Sequence, residues 1–92
     1  MNMAFPSRAQ VERTRSSYPP GTRIVLNNMD DPYAVPPGTR GTVRSVDDGA
    51  QIWVAWDNGR SLALIPGVDS FRKLTQQEIA QEQAMTMGEM KL

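Results

Sequence analysis

The pentapeptide PPGTR stands at residues 19–23 and again at residues 36–40, and each copy leads into a β-branched run. Pro-Gly fits the two central positions of a type II turn, because proline presets φ and glycine accepts the positive φ that follows. Thr-Arg then begins an extended segment in each copy. The repeat therefore predicts tight turns that lead directly into short strands.

Further strand and turn signals surround the two copies. Asp-Asp-Gly at residues 47–49 marks a turn, and Asn58-Gly59 favours a hairpin turn of type I′. Five short strands joined mainly by hairpins predict a mainly β chain built as a small SH3-like barrel, with an OB-fold as the main alternative. The predicted strands cover residues 22–28, 40–46, 51–56, 60–65 and 71–74.

A helix is predicted at each end of the barrel. The segments Ser7–Gln10 and Thr75–Glu78 both have the pattern of a capping box. The first helix should stop before Tyr18-Pro19, because a residue that precedes proline is disfavoured in the α region. Gly88 should end the second helix. The chain then divides into an N-terminal segment (1–17), the barrel (18–74) and a C-terminal helix with its tail (75–92).

The composition excludes several classes of chemistry. The chain has 92 residues, a formal net charge of zero, no cysteine and no histidine. Its length predicts one domain, and its neutral charge disfavours a general nucleic-acid binder. Disulfides, thiolate metal sites and histidine-based catalysis are ruled out. The absence of a long apolar run and of a signal-peptide h-region predicts a soluble cytoplasmic protein that contacts no membrane.

Two long motifs resemble a known family. YPPGTRIVLNNMDDPYAVPPGTRGTV (residues 18–43) and WVAWDNGRSLALIPGVDSF (residues 53–71), with FPSRAQVERTR before them, are similar to a domain-of-unknown-function family. The family comprises small proteins from Gram-positive bacteria, their phages and their conjugative elements. More distantly, residues 38–59 resemble KOW and other SH3-like modules. The resemblance implies a fold and a mobile-element setting, but it implies no catalytic residue.

An acidic loop is the first candidate binding site. Asp30, Asp31 and Tyr33 place two carboxylates beside an aromatic ring, which suits a cation, a polar ligand or a partner protein. The alternative is structural: Asp31 caps a turn and Tyr33 closes one end of the barrel. The spacing matches no EF-hand, so no metal site is predicted.

A tryptophan pair is the second candidate. Trp53 and Trp56 lie three residues apart on one predicted strand, so they face opposite sides of the sheet. Trp56 shares its face with Ile52 and Val54, and we therefore expect it inside the barrel. Trp53 should remain available to stack on a base or a peptide, unless a terminal helix covers it.

Arginines form the third candidate. Arg23 and Arg40 follow equivalent turns, so they flank one anion site if the two turns converge. Alternatively, the arginines are solvated charges on strand edges, or they pair with Asp47, Asp48 and Asp57. The predicted ligand-binding set is Arg23, Asp30, Asp31, Tyr33, Arg40, Arg44, Trp53, Asn58 and Arg60, with Arg72 as a further member of the arginine group.

These features favour a non-catalytic binding protein that needs no cofactor. Its expected ligand is a small anionic or nucleotide-like molecule, or else a host protein that it blocks. Homo-oligomerisation is a linked prediction, because so small a barrel has no interior cavity. A nucleic-acid or ribosome-associated module is the alternative. An enzyme with Asp30 or Asp31 as general base is the least favoured, because the sequence offers no second catalytic group and no base to activate Ser61.

Overall fold

The chain is mainly β, with one helix at each end, as the sequence predicts. The computed structural model describes residues 6–90, with side chains through residue 85, so the outermost parts of the two predicted terminal segments lie outside the described residues. The elements are α1 (Arg8–Ser17), β1 (Arg23–Asn28), β2 (Arg40–Val46), β3 (Ile52–Trp56), β4 (Ser61–Leu64), β5 (Ser70–Lys73) and α2 (Gln76–Met90).

All five strands belong to one antiparallel sheet with the order β4-β3-β2-β1-β5. Strands β1, β2 and β3 each pair with the next strand along the chain, and β5 returns to pair with β1. Because an OB-fold is a Greek-key barrel, this succession of neighbouring pairs favours the SH3-like interpretation. The topology makes β1 the strand that lies between β2 and β5, and it carries the first PPGTR arginine.

Both PPGTR copies fold into the predicted turn. The Thr22 N–H donates to the Pro19 carbonyl at 3.1 Å, and the Thr39 N–H donates to the Pro36 carbonyl at 3.2 Å. The glycine between them has φ of +95° in the first copy and +89° in the second. A positive φ at this position is what a type II turn requires.

One face of the sheet carries the core. Its fully buried side chains alternate along the strands with outward-facing residues, and Trp56 lies among them at 3% exposure while its indole N–H donates to the Leu62 carbonyl. Trp53, on the other face, is 39% exposed, so the predicted placement of the two tryptophans on opposite faces is confirmed. The core cluster consists of Ile24, Leu26, Met29, Val35, Val43, Ile52, Val54, Trp56 and Leu64.

The strands that follow the two PPGTR turns, β1 and β2, pair a large residue with a small one. Ile24, which is fully buried, pairs in register with Gly41. A Cβ atom at Gly41 would lie 2.6 Å from Val54 Cγ1 and 2.9 Å from the Trp56 ring. Only glycine therefore lets β2 pass this closely over the side chains of β3.

Two local predictions are wrong. The Asn58-Gly59 hairpin is not of type I′, which needs positive φ at both residues: only Gly59 has it, and the Gly59 N–H donates to the Trp56 carbonyl. The loop is instead a three-residue turn with glycine in the left-handed position. Gly88 does not end α2, which continues to Met90, because a glycine inside a helix costs only about 1 kcal/mol.

The N-terminal helix is anchored to the end of β2. Its capping box forms as predicted between Ser7 and Gln10. Val11 is buried, and the Arg15 guanidinium donates to the Val46 carbonyl at 3.2 Å and to Asp48 at 2.9 Å. This helix therefore combines apolar and polar contacts with the sheet. Neither helix within residues 6–90 is long and apolar enough to cross a membrane.

Candidate anion-binding site

The two PPGTR arginines converge on the outer face of the sheet, opposite the core. In the β1–β2 register, Arg23 pairs with Thr42 and Arg40 pairs with Val25, so the two arginines lie diagonally across the pair of strands. Arg72 of β5 pairs with Val25 from the other side. The three guanidiniums thus border one area, which we call the arginine face: Arg23, Arg40, Arg72 and the intervening Val25.

The Arg23 guanidinium uses all of its N–H donors. Its Nη1 and Nη2 donate to the two Asp57 oxygens at 2.8 and 2.7 Å. Its Nε and Nη2 donate to the two Glu82 oxygens at 3.2 and 2.6 Å, and Nη1 also donates to Thr42 Oγ1 at 3.1 Å. An arginine has five such donors, so two carboxylates and a hydroxyl saturate this one.

Glu82 belongs to α2, and Arg40 and Arg72 also bind this helix, but with fewer of their N–H donors than Arg23 uses. Arg40 Nη1 donates to Glu82 at 3.0 Å, and its Nη2 lies 4.0 Å from Glu78. Arg72 holds Glu78 through a two-point contact, with Nη1 and Nη2 at 2.8 and 2.9 Å from its two oxygens. The arginine face therefore already holds three carboxylates, of which Glu78 and Glu82 come from α2 and Asp57 follows β3.

These contacts change how the groups titrate. The hydrogen bonds from Arg72 and then from the Thr75 N–H lower the pKa of Glu78 from 4.5 to about 2. The hydrogen bond from Arg23 chiefly lowers the pKa of Glu82, and Arg40 adds to that shift. Asp57 and then Glu82 raise the pKa of Arg23 above its already high value. Both glutamates are ionised near neutral pH, as a paired carboxylate requires.

Ion pairs place α2 against the arginine face. Val25 points away from the core, yet it is only 9% exposed. The Glu78 and Glu82 side chains are 23% and 24% exposed, and Ile79 between them is half-buried. The face is therefore occupied by the chain's own acidic helix.

The acidic loop is organised mainly by backbone contacts. The Asp31 carboxylate accepts a hydrogen bond from the Tyr33 N–H at 2.7 Å, so Asp31 caps a turn, as the structural alternative predicts. Tyr33 itself is 72% exposed and does not close the end of the sheet, so that part of the alternative is wrong. The Asp30 N–H donates to Asp69 at 3.3 Å, which links this loop to the segment before β5.

Arg60 joins the acidic loop to the β3–β4 turn. Its guanidinium donates to the carbonyls of Tyr33 and Ala34, while the Asn58 side chain accepts from the Arg60 N–H at 3.1 Å. The two residues thus hold backbone in place, and neither contacts the arginine face.

Trp53 and Arg44 lie apart from the arginine face. The Trp53 indole N–H donates to Asp47 at 3.0 Å. Partial desolvation raises the pKa of Asp47, but hydrogen bonds from the Gln51 N–H, from Trp53 and from the Gly49 N–H outweigh it and lower that pKa. Arg44 is the exposed residue at the bulge of β2. The predicted set is therefore distributed over three places rather than one.

Sequence reasoning missed the two glutamates of the arginine face. The sequence pattern assigns Glu78 only to the capping box, which does form with Thr75 at 2.8 and 3.0 Å. The available signal was the spacing of Glu78 and Glu82, because residues four apart share one face of a helix. Asp57 was named as a possible arginine partner, and its contact with Arg23 confirms that interpretation.

Open clefts lie elsewhere on the molecule. One of about 310 Å³ is lined by Val11, Glu12 and Arg15 of α1 together with Asp48. Another of about 250 Å³ is lined by residues that include Arg15, Tyr18 and Ser45. Neither includes an arginine of the arginine face. Among the side chains that the structure describes, no group of three or more acidic residues is placed to hold a metal ion.

The chain belongs to a family described as Domain of unknown function (DUF4314), whose match spans residues 7–74. This match covers α1 and all five strands, and it ends before α2 begins. The arginines of the face therefore lie inside the family match, whereas Glu78 and Glu82 lie beyond it. A search of curated proteins and a search of solved structures found no match.

Proposed function

We propose that this protein is a non-catalytic binding module that recognises a carboxylate-bearing partner protein through the arginine face. The observation that carries the proposal is that Arg23, Arg40 and Arg72, from three neighbouring strands, each hold a carboxylate there. Arginine forks suit this task, because their planar donors match the geometry of a carboxylate.

A partner protein fits this face better than a small nucleotide-like ligand. The face binds an acidic helix of the chain itself, which is the geometry that a protein segment would reproduce. The two clefts of about 310 and 250 Å³ lie beside α1 instead. The mobile-element setting implied by the family resemblance suggests a host protein as the partner, such as a defence protein that the module blocks inside the host cytoplasm.

The nucleic-acid alternative has less support from the charges. The formal net charge is zero, and the arginine face is paired with Asp57, Glu78 and Glu82. A phosphate backbone would have to displace those carboxylates, and its binding would weaken steeply with salt.

The homo-oligomer remains a prediction that sedimentation at high protein concentration tests directly.

A binding titration tests the proposal. The probe is a fluorescein-labelled helical peptide with two glutamates four residues apart, and its partner peptide carries glutamines instead. We expect the acidic peptide to bind and Arg40→Gln to weaken it by about 5-fold or more, since charged hydrogen bonds are worth about 1.5–3 kcal/mol. Arg13→Gln on α1 is the matched control, because it removes the same charge from an exposed site.

The same titration includes ATP and a single-stranded DNA. The proposal is overturned if no acidic probe binds in an Arg40-dependent way, either to the wild type or to a variant in which both α2 glutamates are glutamine. Retardation of the DNA with a steep salt dependence would support the nucleic-acid alternative in its place. Turnover of ATP would contradict the non-catalytic assignment.

A further inference from the structure

We propose that α2 acts as an internal substitute for the partner, so that an acidic helix binds the arginine face by displacing residues 76–85. This inference rests on the proposed function and adds both the geometry of the partner and a means of regulation. The partner it fits is a helical segment with two carboxylates one turn apart.

The first argument is the match between α2 and the face. Glu78 and Glu82 are four residues apart and therefore share one side of the helix. Glu82 lies 2.6 Å from Arg23 and 3.0 Å from Arg40, while Glu78 lies 2.8 Å from Arg72. The spacing of one helical turn thus fits three arginines that come from three different strands.

The second argument is that charge, rather than apolar packing, holds α2 in place. From residue 76 to residue 85, only Glu78, Ile79 and Glu82 are even half-buried, and Met85 is 70% exposed. By contrast, α1 buries Val11 to 6% exposure. Ion pairs near the surface stabilise little and are screened by salt, so α2 is the more readily displaced of the two helices.

The third argument is what displacement would uncover. Arg40 and Arg72 would lose their carboxylate partners on α2. Arg23 would keep its two-point contact with Asp57. The face would then offer two arginine forks, and an incoming helix that repeats the spacing of Glu78 and Glu82 satisfies both.

The experiment compares the full-length wild type with the double variant Glu78→Gln and Glu82→Gln. Glutamine at position 78 preserves the capping box, because Gln serves as well as Glu at that position. The matched control is Glu12→Gln with Asp48→Asn, which removes two acidic groups that contact Arg15 instead. The probes are the acidic peptide, its glutamine counterpart and inorganic phosphate, all at one ionic strength.

We expect the acidic peptide to bind the double variant about 5- to 10-fold more tightly than the wild type, because the apparent affinity falls by the fraction of molecules whose site is open. The control variant should bind as the wild type does. Amide hydrogen exchange of residues 79–85 should accelerate in the double variant, and in the wild type when the acidic peptide is added.

Each of the other outcomes would contradict one particular part of the proposal. Equal affinity of the wild type and the double variant, or binding that leaves the exchange of α2 unchanged, overturns displacement but leaves the binding function standing. Competition by inorganic phosphate as effective as that by the peptide overturns the helical partner. Failure of the acidic peptide to bind either form contradicts the proposed function itself.

Discussion

The two PPGTR copies share the same turn but place their arginines in different surroundings. Arg23 is saturated by Asp57, Glu82 and Thr42, and its side chain is 20% exposed. Arg40 makes one close ion pair, with Glu82, and is 36% exposed. A turn motif sets where a strand begins. The neighbours across the sheet and on α2 decide which groups its first side chain binds and how exposed that side chain is.

The same contrast continues one residue further along each strand. Ile24 follows the first copy and fills the core, while Gly41 follows the second copy and gives way to the side chains of β3. The two residues pair in register, but the atoms nearest to a Cβ at Gly41 belong to Val54, Trp56 and Ala55 of β3.

Breaking this large-to-small pair should have the largest effect. Ile24→Ala should lower the free energy of unfolding by about 2–5 kcal/mol, because it leaves a cavity in the core. Gly41→Ala should lower it by about 1–3 kcal/mol, because the new Cβ meets Val54 and the Trp56 ring. Urea unfolding measures both. A Gly41→Ala protein as stable as the wild type would contradict the close approach of β2 to β3.

Removing each arginine fork separately should sharpen the difference between the two copies. Arg23→Gln should cost about 1–3 kcal/mol of unfolding free energy, because it leaves Asp57 and Glu82 facing each other without their shared cation. Arg40→Gln should cost less than about 1 kcal/mol. Urea unfolding with Arg13→Gln as the control checks both values. Equal losses of unfolding free energy at the two positions would show that the different pairing of Arg23 and Arg40 does not affect stability.

Altering the two turns, by contrast, should give similar effects. Gly21→Ala and Gly38→Ala should each lower stability by about 1 kcal/mol, because alanine is strained at the φ values of +95° and +89°. A Cβ atom at either position meets no atom within 4 Å, so strain is the only cost. Thermal unfolding in which only one substitution has an effect would show that the copies are not equivalent as turns.

Acidification should have the smallest effect of these changes. It should release α2 from the arginine face before it affects the sheet. Folding lowers the pKa of Glu78 from 4.5 to about 2 and lowers that of Glu82 in the same direction. The stabilisation from these groups is therefore complete above pH 4.5 and is lost as the pH falls towards about 2. Amide exchange of residues 79–85 should rise over this interval, before that of β1 and β2. In the double glutamine variant the exchange should be independent of pH, after correction for the intrinsic rate.

Much of the fold is readable from the sequence because local chemistry dictates it. Proline and glycine fix the two turns, and the alternation of apolar residues places Trp56 inside and Trp53 outside. The errors are also local. The Asn58-Gly59 dipeptide suits two kinds of hairpin, and register with the neighbouring strands selects between them. A glycine at position 88 weakens a helix without ending it.

The candidate site was less predictable, because its members come from distant parts of the chain. Arg23 and Glu82 are 59 residues apart in sequence, and Arg23 and Asp57 are 34 apart. No local pattern links them. The acidic loop, Arg60 and Trp53 were placed in one set with the arginines on residue type alone, and the structure separates them.

The sequence by itself determined the PPGTR turns, the strands they begin and the helix caps, since each depends on the conformational preferences of a few adjacent residues. Only the tertiary structure decided that Arg23, Arg40 and Arg72 share one face and that Glu78 and Glu82 cover it. The physical reason is that ion pairing is a matter of distance in space. The sheet register and the docking of α2 set that distance, and both depend on contacts across the whole chain.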